Sequence, residues 1–587
     1  MSTGMSDKTI LPAARQPLRP KPFCPRTAAV ALACVALVIL SHGWRFFLPR
    51  NHWQTRDITA GCPQVDALVP QRNAELFANI GDLLATADFK ARAVNWLAGA
   101  VQVPTEVYDA MPPVGQDPRW EVFAPFHDYL RSAFPLVHET LSLTKVNTYG
   151  LLFEWSGSIS ELKPVLLAAH QDVVPVEPST YGDWTHPPFS GHFDGEYIWG
   201  RGSSDDKSGL IGIMSTIETM ISQGFKPTRT IVLAFGFDEE ASGFQGAGSL
   251  GAAMRSIYGE DLPFAFVLDE GGGFTDTYGS VFATPGVAEK GYLDTHVEVT
   301  SPGGHSSVPP AHTTIGMLAA LVVHYENNPY KLELLRDSIP YKTLQCQAEH
   351  GATMPKPLKK LIQRSTHSSR ALRKLEKILF EDPWISSLVG TTQAVDIIHG
   401  GVKSNALPEQ AYALVNHRIS TQSSVAETMA HDAALLVDLA ERFNLSYSAF
   451  GKTISKEGAP TIGTLTLKDA YDTSLEPAPV SPISGAGSEA YQLLSGTIKA
   501  TYTAHRAIDD SSTITVAPGM STGNTDTRYY WELSRSIFRY NHNNMLGSKN
   551  RLGGVHTVNE AMSADSFLEM IRFFTTLILN ADESTAI

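Results

Sequence analysis

Residues 163–172 read KPVLLAAHQD. Five apolar residues, Val165 to Ala169, follow a proline and end in a histidine and an aspartate two residues apart. The run is too short for an ordinary helix and suits a strand buried on both faces, as in the centre of a parallel sheet. The layout recurs at TIVLAFGFDEE (230–240) and FAFVLDEGGG (264–273), each apolar run closing on acidic side chains. Between about 165 and 290 such runs alternate with helical patterning. After Asp205-Asp206-Lys207, residues Leu210, Ile213, Met214, Ile217 and Ile221 recur at helical spacing, and Gly224 is placed to stop them. Strands alternating with helices predict an α/β domain with a mostly parallel central sheet.

Carboxylates at the ends of buried strands cost free energy unless a cation compensates them. The repetition of that arrangement predicts a two-metal hydrolytic site with ligands His170, Asp205, Glu240, Asp269 and His556, Glu270 being the alternative to Asp269. Asp172 lies two residues beyond His170; in an extended segment both point the same way, so Asp172 is placed to orient the imidazole or a neighbouring carboxylate. Asp205 stands in the Gly/Ser-rich turn GRGSSDDKSG (200–209) at a helix start, where it reads either as a bridging ligand or as an N-cap. Glu239 and Glu240 cannot both be unpaired anions in a dry site. With Glu240 on a metal, Glu239 remains as general base for a metal-polarised water. His556 lies in a Gly-rich loop and depends on the other ligands for its assignment. Mixed imidazole and carboxylate donors predict Zn²⁺ rather than Mg²⁺ or Ca²⁺.

At 587 residues the chain is too long for one simple domain, and its net charge of −14 argues against nucleic acid as a partner. Residues 1–26 are basic and polar, and 27–44 (TAAVALACVALVILSHGW) form an isolated apolar peak. This predicts a cytosolic tail, a transmembrane signal anchor at 27–44 and a linker at 45–70. Residues 73–101 (NAELFANIGDLLATADFKARAVNWLAGAV) read as amphipathic helix. The alternation in YLDTHVEVTSPGGHSS (292–307) marks a change to half-exposed antiparallel strands, and LEPAPVSP (475–482) reads as a return linker. The expected organisation is a catalytic domain in two parts, 71–292 and 479–587, split by an α+β insertion at 293–478. Residues 356–377 carry eight Lys/Arg against Glu376 alone, read as a solvated helical face rather than a docking site for an anionic membrane. No pair of cysteines forms a CxxC; Cys62 and Cys346 remain for the folded part, and the sequence leaves their pairing open.

HQDVVP (170–175), GRGSSDDKSG (200–209), DEE (238–240), LDEGGG (268–273), SPGGHSS (301–307) and GVHTVNE (554–560) together resemble the motif series of the M20 metallopeptidase family. Within it, the chain is most similar to the membrane-anchored carboxypeptidase S (Gly-Xaa carboxypeptidase) subgroup of fungal vacuoles, and also to the animal N-acyl-amino-acid hydrolases. The resemblance implies two zinc ions bridged by Asp205, with His170 and Asp269 completing one and Glu240 and His556 the other. It makes Glu239 the base, Asp172 the partner of His170, and the insertion a lid through which a homodimer can form. It also implies substrate contacts from His305, Asn405 and Arg418, and more weakly from Asp526 and Arg528. Small peptides are the expected substrates, N-acyl amino acids the alternative. The expected location is single-pass type II, with the catalytic part in a vacuolar lumen.

Overall fold

The computed structural model describes residues 61–456, 458, 461–547 and 554–587. The expected tail, anchor and most of the linker lie outside them. Among the described residues no helix is long and apolar enough to cross a membrane. The expectation of a membrane-anchored type II protein in the vacuolar lumen is corrected accordingly: no described helix supports it, and the 27–44 segment on which it rested lies outside the described residues.

The three apolar runs form the strands Val165–His170, Ile231–Gly236 and Phe266–Asp269, buried at every position. Val165–His170 lies between the other two and is parallel to both. Ile537–Arg539 adds a fourth parallel strand beside Phe266–Asp269. Antiparallel strands Gly150–Trp155 and Ser142–Val146 extend one side, and the whole sheet has eight strands. Burial on both faces is the reason these strands are uniformly apolar rather than alternating. Helix Lys207–Ser222 packs on this sheet and against Ala564–Glu583, burying Leu210, Ile213, Met214 and Ile217. The predicted helix over 73–101 is two, Ala74–Leu84 and Ala87–Val101. The break comes at Thr86, whose hydroxyl accepts the Phe89 N–H at 3.2 Å and so caps the second helix.

A second, six-stranded sheet is built on Gly291–Thr300, with Gln410–Ile419 and Gly463–Asp469 antiparallel on either side of it. The burial of Gly291–Thr300 alternates strictly, as the sequence alternates, because only one face is covered. Val297, Val299, Leu318, Leu321, Val415 and Leu467 lie in its separate core. Beneath that core Asp432 accepts the Thr295 hydroxyl at 2.9 Å and pairs with His417 Nε2 at 2.9 Å, all three fully buried.

Between these strands the chain makes the helix Thr314–Asn327, which packs on the second sheet, and then Ile339–His350, Lys356–Ser365, Ser369–Leu379 and Pro383–Val389, which share a core around Leu344, Ile362, Leu375 and Leu379. Lys356, Lys360, Arg364, Arg370, Arg373, Lys374 and Lys377 are exposed on the middle two. This group leans on the central-sheet side of the molecule: Thr343 donates to the Pro518 carbonyl at 2.6 Å and Ser280 to that of His350 at 2.8 Å. The structure pairs Cys62 with Cys346 in a disulfide, which settles the point the sequence left open.

Candidate metal centre

Three parallel strands deliver three of the candidate ligands to one edge of the sheet. His170 ends Val165–His170, Glu239 and Glu240 follow Ile231–Gly236, and Glu270 follows Phe266–Asp269. The carboxyl end of parallel strands is where open α/β sheets place their ligands. Gly273 lets the last segment pass close to its neighbour, since a Cβ there would lie 1.9 Å from the Asn543 carbonyl oxygen.

His170 is fully buried, and Nδ1 faces the backbone carbonyl of Asp172 at 3.0 Å. A carbonyl only accepts, so Nδ1 carries a proton and Nε2 is left for a second proton or a cation. Nε2 faces Asp205 Oδ1 at 3.2 Å and Glu270 Oε2 at 3.6 Å. The other oxygen of Asp205, Oδ2, faces His556 Nε2 at 3.0 Å, and His556 Nε2 also lies 3.2 Å from Glu240 Oε2. Asp205 thus stands between the two histidines, each with a second carboxylate of its own. Two ligands of one tetrahedral zinc at about 2.0–2.1 Å lie about 3.3 Å apart. The donor separations at both ends of Asp205 fit that spacing.

The electrostatics agree. Burial opposes protonation of His170, but Glu270 together with hydrogen bonds to Asp172 and Asp205 outweighs it and holds the imidazole well above its usual range. His556 is pushed up to about 10 by its bonds to Asp205 and Glu240. Glu239 is raised by burial and by Glu270, and Glu270 is itself pushed up to about 8 by burial. Acids and imidazoles rise together where negative charge outruns positive charge in a desolvated space. Buried oxygens without partners, Asp206 Oδ2 and both of Asp269, add to the deficit. Bound divalent cations would remove it, and the residues fit them.

Asp172 does more than face His170. Its two oxygens accept the backbone N–H groups of Glu239 at 3.2 Å and Glu240 at 3.0 Å, which fixes the turn carrying both glutamates. Asp238 closes the same turn, accepting from Gln245 and Gly246 at 2.7 Å each. Among the described residues Glu239 has no imidazole in ion-pair range, unlike Glu240 and Glu270.

Of the two neighbouring acids, Glu270 rather than Asp269 lies within ion-pair range of His170, at 3.6 Å. Two groups of three donors lie close enough to share an ion, His170 with Asp205 and Glu240, and His170 with Asp206 and Glu270; neither contains Asp269. Successive side chains at a strand end point to opposite faces. Asp269 is buried without a hydrogen-bond partner, while the longer Glu270 reaches His170. Asp206 and Asn541 carried no role in the sequence reading, yet Asn541 Nδ2 donates to Asp206 Oδ1 at 2.6 Å. The doubling of Asp205-Asp206 was the available signal; nothing pointed to Asn541.

The substrate candidates divide. Asp526 is buried, with Oδ2 unpartnered; burial raises its pKa first, and the nearby Asp269 and Asp238 raise it further. Arg418 sits opposite Tyr292 in the antiparallel pair, with its guanidinium 5.7 Å from the Tyr292 ring centre and no carboxylate in ion-pair range among the described residues. With Lys290, Ser387, Thr392, Thr522 and Gly523 it lines a cavity of about 310 Å³. Lys290 is fully buried and donates to the carbonyls of Ser387 at 2.9 Å and Gly390 at 2.6 Å. His305 and Asn405 are exposed on a two-stranded ribbon and its flank, and no described hydrogen bond or ion pair joins them to the carboxylate cluster.

Residues 166–580 match the model of peptidase family M20/M25/M40. Carboxypeptidase S of Saccharomyces cerevisiae is 40% identical over 533 residues, 89% of either chain. The N-fatty-acyl-amino acid synthase/hydrolase PM20D1 of Xenopus tropicalis is 31% identical over 84% of this chain and 86% of its own. The fold is similar to that of human carnosine dipeptidase 1, with a TM-score of 0.54 at 13% identity, over 88% of this chain and all of that one. On its motifs, its matched length and its relatives, the chain belongs to the M20/M25/M40 peptidase family.

Proposed function

We propose that this protein is a metal-dependent carboxypeptidase that releases the C-terminal residue from small peptides, of Gly-Xaa type, at a centre of two zinc ions. The observation that carries the reading is the Asp205 carboxylate, set between His170 and His556, with Glu239 near His170 and Glu270. Asp205 would be shared by both ions, His170 and Glu270 would complete one, and Glu240 and His556 the other. When bound, two such cations polarise the scissile carbonyl and acidify water. Glu239 then acts as the base, taking a proton from water on its carboxylate and returning it to the leaving amine. Asp172 holds Glu239 in register through the backbone amide. Arg418 clamps the free carboxylate of the substrate; Lys290, pushed down to about 7 by burial and by Arg418, lines the same cavity. The exposed edge strand Thr392–Gly400, with Ile397 and Ile398 in solvent, is the surface on which a second copy would add its own strand. His305 and Asn405 would have to be carried to the cluster, and the mechanism does not use them.

The test is release of free leucine from a blocked Gly-Leu dipeptide and from a long-chain N-acyl leucine, with metal analysis. Two zincs per chain and release from the dipeptide, lost in Glu239→Gln, support the reading. Preference for the acyl substrate moves the activity to N-acyl-amino-acid hydrolysis at the same site, and a metal-free protein ends the metal mechanism.

A further inference from the structure

Asp205 and His556 belong to segments more than 300 residues apart, and the centre needs them 3.0 Å from each other. A buried carboxylate joins the two segments. Glu560 follows His556 by four positions and is 2% exposed. Its Oε1 accepts three backbone N–H groups of the Asp205 turn, from Gly202 at 3.0 Å, Ser204 at 2.9 Å and Asp205 itself at 3.2 Å. Its Oε2 accepts the Arg201 guanidinium at 2.5 Å. The main chain continues the junction: Gly200 donates to the Glu560 carbonyl at 2.9 Å, and Tyr197–Trp199 pairs antiparallel with Ala561–Ser563. At the other end of the His556 turn, Asn559 Oδ1 accepts the Thr185 N–H at 2.6 Å.

We infer that Glu560 is a positioning residue of the metal centre, its carboxylate locking the Asp205 turn to the segment that carries His556. The inference rests on the metal-centre reading above. Only a carboxylate accepts on both oxygens; a glutamine of the same shape must turn an NH₂ toward either the three amides or Arg201. The three amides fix the backbone of Asp205, and so the direction in which its carboxylate leaves the chain. Groups that orient metal ligands in this way change affinity by about 10–100-fold when replaced.

The experiment measures zinc affinity of the full chain in zinc-buffered solution, with melting of the metal-free protein alongside. Glu560→Gln is expected to bind at least one zinc about 10–100-fold more weakly than the wild type. Because that change also strands the Arg201 charge, the double variant R201M/E560M is measured in parallel; removing both charges relieves the buried guanidinium, and a methionine at 560 has no oxygen with which to restore the anchor. It is expected to melt near the wild type and still bind zinc weakly. Affinity within twofold of the wild type in Glu560→Gln, or affinity that returns with stability in the double variant, overturns the inference and leaves the metal centre standing. A wild type that binds no zinc overturns both.

Discussion

Asp205 turns Oδ1 to within 3.2 Å of His170 Nε2. A carboxylate and a lone pair repel unless a proton or cation lies between them. The first prediction follows. Chelation should abolish hydrolysis and lower the melting temperature, and added zinc should restore both. Asp205→Asn should prevent binding of both ions, read as metal per chain, because its carboxylate is the only one flanked by both histidines among the described residues.

Glu270→Gln and Asp269→Asn should separate cleanly. Glu270 faces His170 and Asp269 does not. Glu270→Gln is expected to lose about one metal per chain, or to hold it about 10–100-fold more weakly. Asp269→Asn should keep two. Loss of metal in Asp269→Asn alone would reverse the assignment.

Arg418 has an aromatic neighbour and no acidic one among the described residues, so its charge is free for a ligand. Arg418→Met should raise KM for a dipeptide by about 10–100-fold, the effect of a lost charge-assisted hydrogen bond of about 1.5–3 kcal/mol. Metal content should not change. A substrate with an amidated C-terminus should show little difference between the variant and the wild type.

Stability should carry an acid limb from Asp432. Burial raises its pKa, but hydrogen bonds from His417 and His431 outweigh burial and hold the group at about 2. A carboxyl depressed in the fold stabilises it above the unfolded value of about 3.9, and that contribution is lost as pH falls toward 2. Asp432→Asn should flatten the pH dependence of the melting temperature between about 4 and 2. It should also destabilise the fold at neutral pH, by about 3–5 kcal/mol, since His417 and Thr295 keep their buried polar groups.

Sequence alone determined the parallel strands and the acidic ends they carry. Uniform apolar runs of five or six residues have one good solution, burial in the middle of a sheet, and the residue after each run must then emerge at the sheet edge. Val165–His170 and Ile231–Gly236 are legible for that reason, and with them His170, Glu239 and Glu240. Tertiary structure alone decided the rest. Whether Asp269 or Glu270 faces His170 depends on which way a strand end turns, a half-turn that neighbouring acidic letters do not encode. The break at Thr86 is a local cap competing with a continuous apolar period. The union of Cys62 with Cys346 and the grip of Glu560 on the Asp205 turn join residues 284 and 355 positions apart. Such contacts leave no periodicity along the chain, because their partners meet only after the sheets have packed.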